Sequence, residues 1–326
     1  MSTQRKKKSS SSTSGAKGPG YHRPVLLREV LTALQPAPGK VFFDGTFGGG
    51  GHARALLEAG AAVVGCDRDP DVLGEARRLF GDYGERFAFL QAEFRTVHER
   101  LAELRLGPFD GVLLDLGVSW HQLETAERGF SFQREGPLDM RMNPQSGPTA
   151  ADLLATASEE QLADWFWRLG EEPAARRLAA RIVEQRAKRP LRTTGELSAL
   201  VNSVVPRRGP RHPATKVFQA LRIVVNHELE ELTEAMANLR TLVRLGGRMA
   251  IITFHSLEDR LVKNYFRDLS REWDDRPEWP EPRPNSLFAF RLVNTRAIAP
   301  GEEEIRENAR ARSAKLRVIE RIRYES

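Results

Sequence analysis

Val41 to Leu57 reads VFFDGTFGGGGHARALL, and this stretch decides the fold. A short apolar run ends in Asp44, and a turn carrying five glycines and Thr46 follows. An alanine- and leucine-rich segment with the composition of a helix comes next. Strand, glycine-rich turn and helix, in that order, open a Rossmann-like unit that holds a nucleotide-like ligand against backbone. Glycines lose more backbone entropy on folding than other residues, so the run Gly48 to Gly51 is poorly explained by a turn that serves no ligand.

The same alternation continues outward. Before the turn, Tyr21 to Leu34 predicts a short amphipathic helix, ended by Pro36, Pro38 and Gly39. After it, AAVVGCD predicts a strand ending at Asp67, with Pro70 placed to open the next helix. FAFLQAEF (87–94) predicts a third strand, Thr96 to Leu106 a helix, and FDGVLLDLG (109–117) a fourth strand with Asp115 at its C-terminal end. Strands alternating with helices of this length imply a parallel sheet covered on both faces. Right-handed crossovers then bring the glycine turn, Asp67 and Asp115 to one sheet edge, where such folds bind ligands.

Beyond Asp115 the pattern changes. Residues 118–148 are rich in Gly, Pro and charge without a clear period, and 149–205 read as helices only. Ser158 with Gln161 and Thr193 with Glu196 predict capping boxes, and Pro173 a helix start. Val217, Leu221, Val225, Leu229, Leu232, Met236, Leu239 and Val243 predict one long helix from about Pro213 to Val243. Strand character returns at RMAIITFH (248–255), and Ser256 with Asp259 predicts a cap for the helix after it. LFAFRLVNTRAI and AKLRVIERI predict two closing antiparallel strands. The expected organisation is therefore a discontinuous α/β domain, 21–125 and 240–326, with an inserted helical domain at 126–239. Residues 1–20, mostly Ser, Lys and Gly, predict a disordered basic tail.

With 326 residues the chain has room for one large or two modest domains. No run approaches the ~18 apolar residues of a membrane span. No apolar core of a signal peptide is present, and Cys66 is the single cysteine. These features predict a cytoplasmic protein without disulfides or a cysteine-based zinc site. His212 and His255 lack metal-ligand spacing, so no metal is expected. The net charge of +6 is carried by Arg5, Lys6, Lys7, Lys8, Lys17 and Arg23, since no acid precedes Glu29. Within the neutral remainder, residues 176–222 hold twelve Arg or Lys against two acids. A local excess of this size predicts a phosphate-contacting surface, with a solvated helical face as the plainer alternative. Arg186, Lys188, Arg189, Arg207, Arg208, Arg211 and Lys216 are its candidates, with Arg141 outside the run.

Two cofactors compete for the glycine turn. Gly48, Gly50 and Ala53 satisfy G-x-G-x-x-A, and Asp67 follows Gly48 by 19 residues, the spacing for the ribose of NAD. S-adenosylmethionine carries an equivalent ribose. Two features favour it: Asp44 before the turn suits a cationic methionine end and repels a pyrophosphate, and the turn is longer than a pyrophosphate needs.

The chain also resembles, from about His22 onward, the MraW family of bacterial small-subunit ribosomal RNA methyltransferases. The resemblance rests on HRPVLLREVL, DGTFGGGGH, DRDP, LLDLGVSW followed by QL, ERGFSF, GPLDMRM, HPATKVFQALRIVVNHEL, FHSLEDR and ARSAKLR, all in order. It implies a class I S-adenosylmethionine-dependent methyltransferase fold with an inserted helical domain. The implied reaction is methylation of N4 of the 16S rRNA cytidine at conventional position 1402, in the decoding region, within the small ribosomal subunit. The implied cofactor contacts are Gly50, Gly51, His52, Asp67, Phe94, Asp115 and Gln122. Trp120 and His121, Asn143 and Ala309 depart from the commoner family pattern.

Cytosine N4 is a weak nucleophile because its lone pair is delocalised, so the chemistry needs alignment, desolvation and an acceptor for the amino hydrogens. Asp115 is the candidate acceptor, with Ser119 as a second. Asp139, Met140 and Arg141, with His255, Ser256 and Asp259, are expected to line the cleft for a flipped base. An ion pair between Asp139 and Arg141 is the structural alternative. An NAD-dependent oxidoreductase and a non-catalytic RNA-binding assembly factor are the competing functions.

Overall fold

The computed structural model describes residues 24–324 except 208, 210, 211 and 276. The N-terminal tail, Arg208 and Arg211 therefore lie outside the described residues. The chain opens with α1 (Leu27–Leu34), β1 (Val41–Asp44), α2 (Gly51–Glu58), β2 (Ala62–Asp67), α3 (Leu73–Tyr83), β3 (Phe87–Gln91), α4 (Phe94–Glu103) and β4 (Phe109–Asp115). A helical stretch follows: α5 (Trp120–Glu124), α6 (Ala150–Thr156), α7 (Glu159–Arg168), α8 (Ala175–Lys188), α9 (Thr194–Val204), α10 (Ala214–Asn226) and α11 (Glu228–Leu239). Then come β5 (Val243–Thr253), α12 (Ser256–Leu269), the two-residue strands β6 (Trp273–Asp274) and β7 (Arg283–Pro284), β8 (Phe290–Leu292), α13 (Glu302–Glu307) and β9 (Lys315–Arg321).

The main sheet has the order β3-β2-β1-β4-β5-β9-β8. Its first five strands are parallel, β9 runs antiparallel to β5, and β8 antiparallel to β9. This is the class I methyltransferase architecture the sequence implied. The strand order reverses between β1 and β4, and that switch point opens a crevice at their C-terminal ends. Successive side chains point to opposite faces. Phe42 and Leu113 pack with α1 and α2 on one face, whereas Phe43 and Leu114 pack with α4, α11 and α12 on the other. Both faces are dry, which is why these strands are continuously apolar.

The helices between α6 and α10 build a core of their own, from Leu154, Leu162, Phe166, Leu178, Ile182, Leu197, Val201, Val217 and Leu221. The capping boxes at Ser158/Gln161 and Thr193/Glu196 form. The single long helix does not. It breaks at His227, which takes a left-handed φ of 50°, between α10 and α11. The cause is tertiary. Asn226 is buried, its Nδ2 donates to Met140 O at 2.7 Å and its Oδ1 accepts from Met142 N at 2.7 Å, anchoring the loop 137–142 to the end of α10. Beyond the break, Leu232, Ala235, Met236 and Leu239 join the sheet's core. By packing, then, the insert ends at His227 and α11 belongs with the sheet. At α12 the cap is His255 with Glu258, not Ser256 with Asp259. Asp259 instead accepts from Lys315 Nζ at 2.9 Å and Arg317 Nε at 2.8 Å, tying α12 to β9.

Candidate active site and cofactor pocket

A pocket lies over the switch point, walled by Gly45 to Gly49, Gly51, His52, Asp67, Asp69, Phe94, Asp115 to Gln122, Met142, Glu228, Glu258 and Arg310, among others. It gathers the glycine turn, Asp67, Phe94, Asp115 and Gln122 in one place, as the sequence implied. Two candidates are absent from its wall. Gly50 faces inward, its left-handed φ of 69° turning the chain into α2, and a Cβ there would stand 2.8 Å from the Phe47 ring. Asp44 lies behind the turn, 1% exposed.

Two carboxylates hold the turn together. Asp67 Oδ2 accepts from Gly48 N at 2.8 Å and its Oδ1 from Asp69 N at 2.9 Å. Asp44 Oδ1 accepts from Thr46 N at 3.2 Å, and Thr46 Oγ1 in turn accepts from Asp115 N at 2.6 Å. The end of β1 is thereby fastened to the end of β4. Gly51 begins α2 against Pro24, whose ring lies 2.4 Å from where a Cβ would be, so no side chain fits there.

The electrostatics are set by burial. Asp44 is raised to about 7, first by burial and next by the neighbouring Asp67, with the Thr46 amide opposing. Asp115 is pushed well above the ordinary carboxylate range by burial, then by Asp44 and Glu258. Asp67 is raised by burial, against the amides of Asp69 and Gly48. His52 is lowered to about 4 by burial, so its ring is neutral near pH 7. Its Nε2 sits 3.1 Å from the Val25 carbonyl, which only accepts, so Nε2 carries the hydrogen. The bare Nδ1 then faces Asp115 Oδ2 at 3.6 Å. Asp115 Oδ1 and Asp44 Oδ2 are buried without a hydrogen-bond partner.

A measurable consequence follows for Asp44. The folded protein keeps its proton up to about pH 7, while the unfolded chain releases it near 4. Between those values the folded state binds more protons, so this group's contribution to stability falls as pH rises. The stability difference between Asp44→Asn and wild type should therefore grow in the variant's favour from about pH 4 to about pH 7 and level off above. Chemical denaturation across that range measures it; a flat difference refutes the assignment.

Ser119 and Gln122 line the pocket and also bond to each other. They form the capping box of α5: Ser119 Oγ accepts from Gln122 N at 3.2 Å, and Gln122 Oε1 from Ser119 N at 2.9 Å. Gln122 Nε2 also donates to the buried Asp69 at 2.7 Å. Asp69 and its second partner, Arg128, escaped the sequence reading. The only local signal was the acid within DRDP. Of the expected cleft residues, Asp139 and Arg141 form a two-pronged ion pair within their own loop, at 2.9 and 2.7 Å, and Met142 reaches the pocket instead.

The basic candidates divide. Arg186 is structural: it donates to the Leu154 and Ala157 carbonyls at 2.7 and 2.6 Å, closing the end of α6. Lys188 and Arg189 pair with Glu184 and Glu196 on the surface, and Lys216 reaches the Glu171 carbonyl. Arg207 is exposed, as are Arg176, Arg177 and Arg192. Exposed pairs of this kind are worth little and exchange readily for phosphate. His212 stacks on Phe132 with ring centroids 4.5 Å apart. His255 meets Glu228 and Glu258, a set whose ligand atoms lie within 4.8 Å of one another. Arg222 already supplies the counter-charge there, donating to both oxygens of Glu228 at 2.7 Å.

The pocket fits a cationic ligand. Asp67, Asp69, Asp115, Glu228, Glu231 and Glu258 line it against Arg68 and Arg310. A pyrophosphate would meet Asp67 and Asp115, whereas Asp69, Glu228 and Glu231 already have Arg128, Arg222 and Arg95 as counter-charges. No described helix is long and apolar enough to cross a membrane.

The chain is similar to known proteins along most of its length. The model of the MraW methylase family matches residues 20–322. A ribosomal RNA small subunit methyltransferase H from Magnetococcus marinus is 46% identical over 92% of this chain and 98% of its own. The protein of that name from Cereibacter sphaeroides is 50% identical over 91% and 89%. An rRNA methylase from Streptococcus thermophilus superposes with a TM-score of 0.43 at 12% identity, covering 93% of this chain and 98% of that one. On the family match and these identities, the chain belongs to the MraW methylase family and is an S-adenosylmethionine-dependent methyltransferase.

Proposed function

We propose that this protein methylates N4 of a cytidine in the decoding region of 16S rRNA, acting on the small ribosomal subunit. The observation that carries the reading is Asp115: a carboxylate at the end of β4 that lines the pocket with its side chain 23% exposed. An exocyclic amine loses a proton on methylation, and a carboxylate at that place can accept its hydrogens. Relatives named for the small-subunit ribosomal RNA supply the polymer.

S-adenosylmethionine, when bound, supplies an already activated methyl group. The chain's own residues do the remainder. Gly48 and Gly49, with the first turn of α2, present backbone to the methionine end, and Asp67 faces the ribose. Phe94, at the first turn of α4, offers a ring beside the adenine. Asp115 takes the amino hydrogens, and the neutral His52 stands beside it without adding charge. Ser119 acts as a positioning residue, ordering the loop after Asp115 through its cap of α5. The acids that suit a cationic donor repel phosphate, so the base must enter while its backbone stays at the rim, where Arg310 lies.

Small subunits lacking the modification, incubated with the protein and labelled methyl donor, should incorporate label into N4-methylcytidine in the decoding region. Label on cytosine C5 or on a ribose oxygen overturns the atom assignment. No label above background would sink the proposal as a whole.

A further inference from the structure

A second groove lies beside the pocket, between the end of α7 and the N-terminal turns of α11 and α12. Trp167, Arg168, Leu169, Glu171, Pro173, Leu229, Leu257 and Arg260 line it, and two of these are chain neighbours of residues lining the active site. Glu228 and Glu258 face the pocket, while their chain neighbours Leu229 and Leu257 face the groove. Consecutive Cα atoms are only about 3.8 Å apart, so one strand of nucleic acid can span both.

The groove has the chemistry of a base-stacking platform. Trp167 is 61% exposed, whereas Leu162 and Phe166 of the same helix are buried in the insert's core, so α7 does not need this indole for packing. Leu229 and Leu257 are half-buried and form an apolar floor. Arg168 and Arg260 stand exposed at its edges, each within 3.7 Å of an acid, Asp164 and Glu171, in surface pairs that are worth little. The acid of the groove, Glu171, is already engaged by Ser256 Oγ at 3.1 Å and by Arg260 at 3.7 Å. An exposed aromatic over an apolar floor, flanked by two guanidinium groups, takes an unpaired base and its phosphate irrespective of sequence. A polypeptide would also find the floor, but the paired cations and the continuity with a base-accepting pocket favour RNA.

We propose that this groove holds the nucleotide adjacent to the target cytidine, its base against Trp167 and its phosphate between Arg168 and Arg260. The inference rests on the RNA reading above. Holding the neighbour fixes the strand on the far side of the Glu228–Glu258 wall and draws the target base over it. Trp167 is thus a substrate-binding residue remote from the methyl transfer itself.

The test compares wild type, Trp167→Ala and Trp167→Phe, on small subunits lacking the methyl group and on protein-free 16S rRNA. Stacking of one base corresponds to about 5- to 150-fold. Trp167→Ala should accordingly raise KM for subunits by at least about fivefold, leave kcat at saturation and donor affinity unchanged, and weaken filter binding of the free RNA similarly. Trp167→Phe should restore most of the loss. An unchanged KM, or a loss confined to kcat, overturns the proposal. A loss on subunits without one on free RNA overturns it too, because a ribosomal protein would then cover the groove. If wild type itself modifies no cytidine, the functional reading has failed rather than this one.

Discussion

Asp115→Asn is expected to lower the turnover for methyl transfer by about 10²- to 10⁴-fold, the range contributed by a positioned proton acceptor. The substitution keeps the size of the side chain and the backbone bond from Asp115 N to Thr46 Oγ1, so the junction of β1 with β4 stays intact. It removes the ionisable oxygen. Donor affinity should change much less than turnover, because Asp67 and the glycine turn, proposed to bind the rest of the cofactor, are untouched. A pH signature distinguishes acceptor from scaffold. Burial, Asp44 and Glu258 raise this carboxyl well above the ordinary range, so it keeps its proton to higher pH than an ordinary carboxylate. A protonated Asp115 cannot accept a hydrogen, so kcat/KM of the wild type should rise as pH increases through its raised pKa. The Asn variant should lose that rise. Full turnover in the variant, or an unchanged pH profile, would exclude Asp115 as the acceptor.

The parts of this site that were legible in the sequence are those encoded within a few residues. The glycine turn, its strand and its helix lie within seventeen consecutive residues, and the boxes at Ser158/Gln161 and Thr193/Glu196 each span four. The sheet edge bearing the turn, Asp67 and Asp115 followed from handedness alone. What stayed hidden depends on distant partners. Nothing local breaks the helix at His227, because the apolar period runs on through it and no Gly or Pro intervenes. Asn226 breaks it by bonding to Met140 and Met142, more than eighty residues away. Arg186 counted toward a phosphate surface by charge, but only the fold reveals the Leu154 and Ala157 carbonyls in front of it. Ser119 and Gln122 have the spacing of a cap, but the helix they begin is five residues long, too short to carry a period. Asp44 was read as a ligand-facing acid. Its place behind the turn depends on how β1 packs, which composition does not report.

The other large effect is expected at Arg128, which joins the two halves of the pocket wall. Arg128 is 8% exposed and Asp69 2%. One guanidinium nitrogen donates to both Asp69 oxygens, at 3.2 and 2.9 Å, and to Asp71. The other donates to the carbonyls of Arg141 and Met142 at 3.0 and 2.9 Å. The loop after β2 is thus fixed to the loop that Asn226 holds from the opposite side. Arg128→Ala leaves Asp69 charged and buried, with only Gln122 Nε2 and the Asp71 amide to satisfy it. Removing one member of a buried pair costs about 3–5 kcal/mol, and the two abandoned carbonyls add to that. Arg128→Lys should recover little, since a point charge cannot bridge a carboxylate and two carbonyls at once. The decisive comparison is a double-mutant cycle with Asp69→Asn. If the cost arises from the uncompensated charge, Arg128→Ala should be far less damaging when combined with Asp69→Asn, by about 2 kcal/mol or more, in denaturant unfolding at neutral pH. Additive costs would instead assign the effect to the carbonyl contacts. A single-variant cost below about 1 kcal/mol would show that the wall stands without this residue.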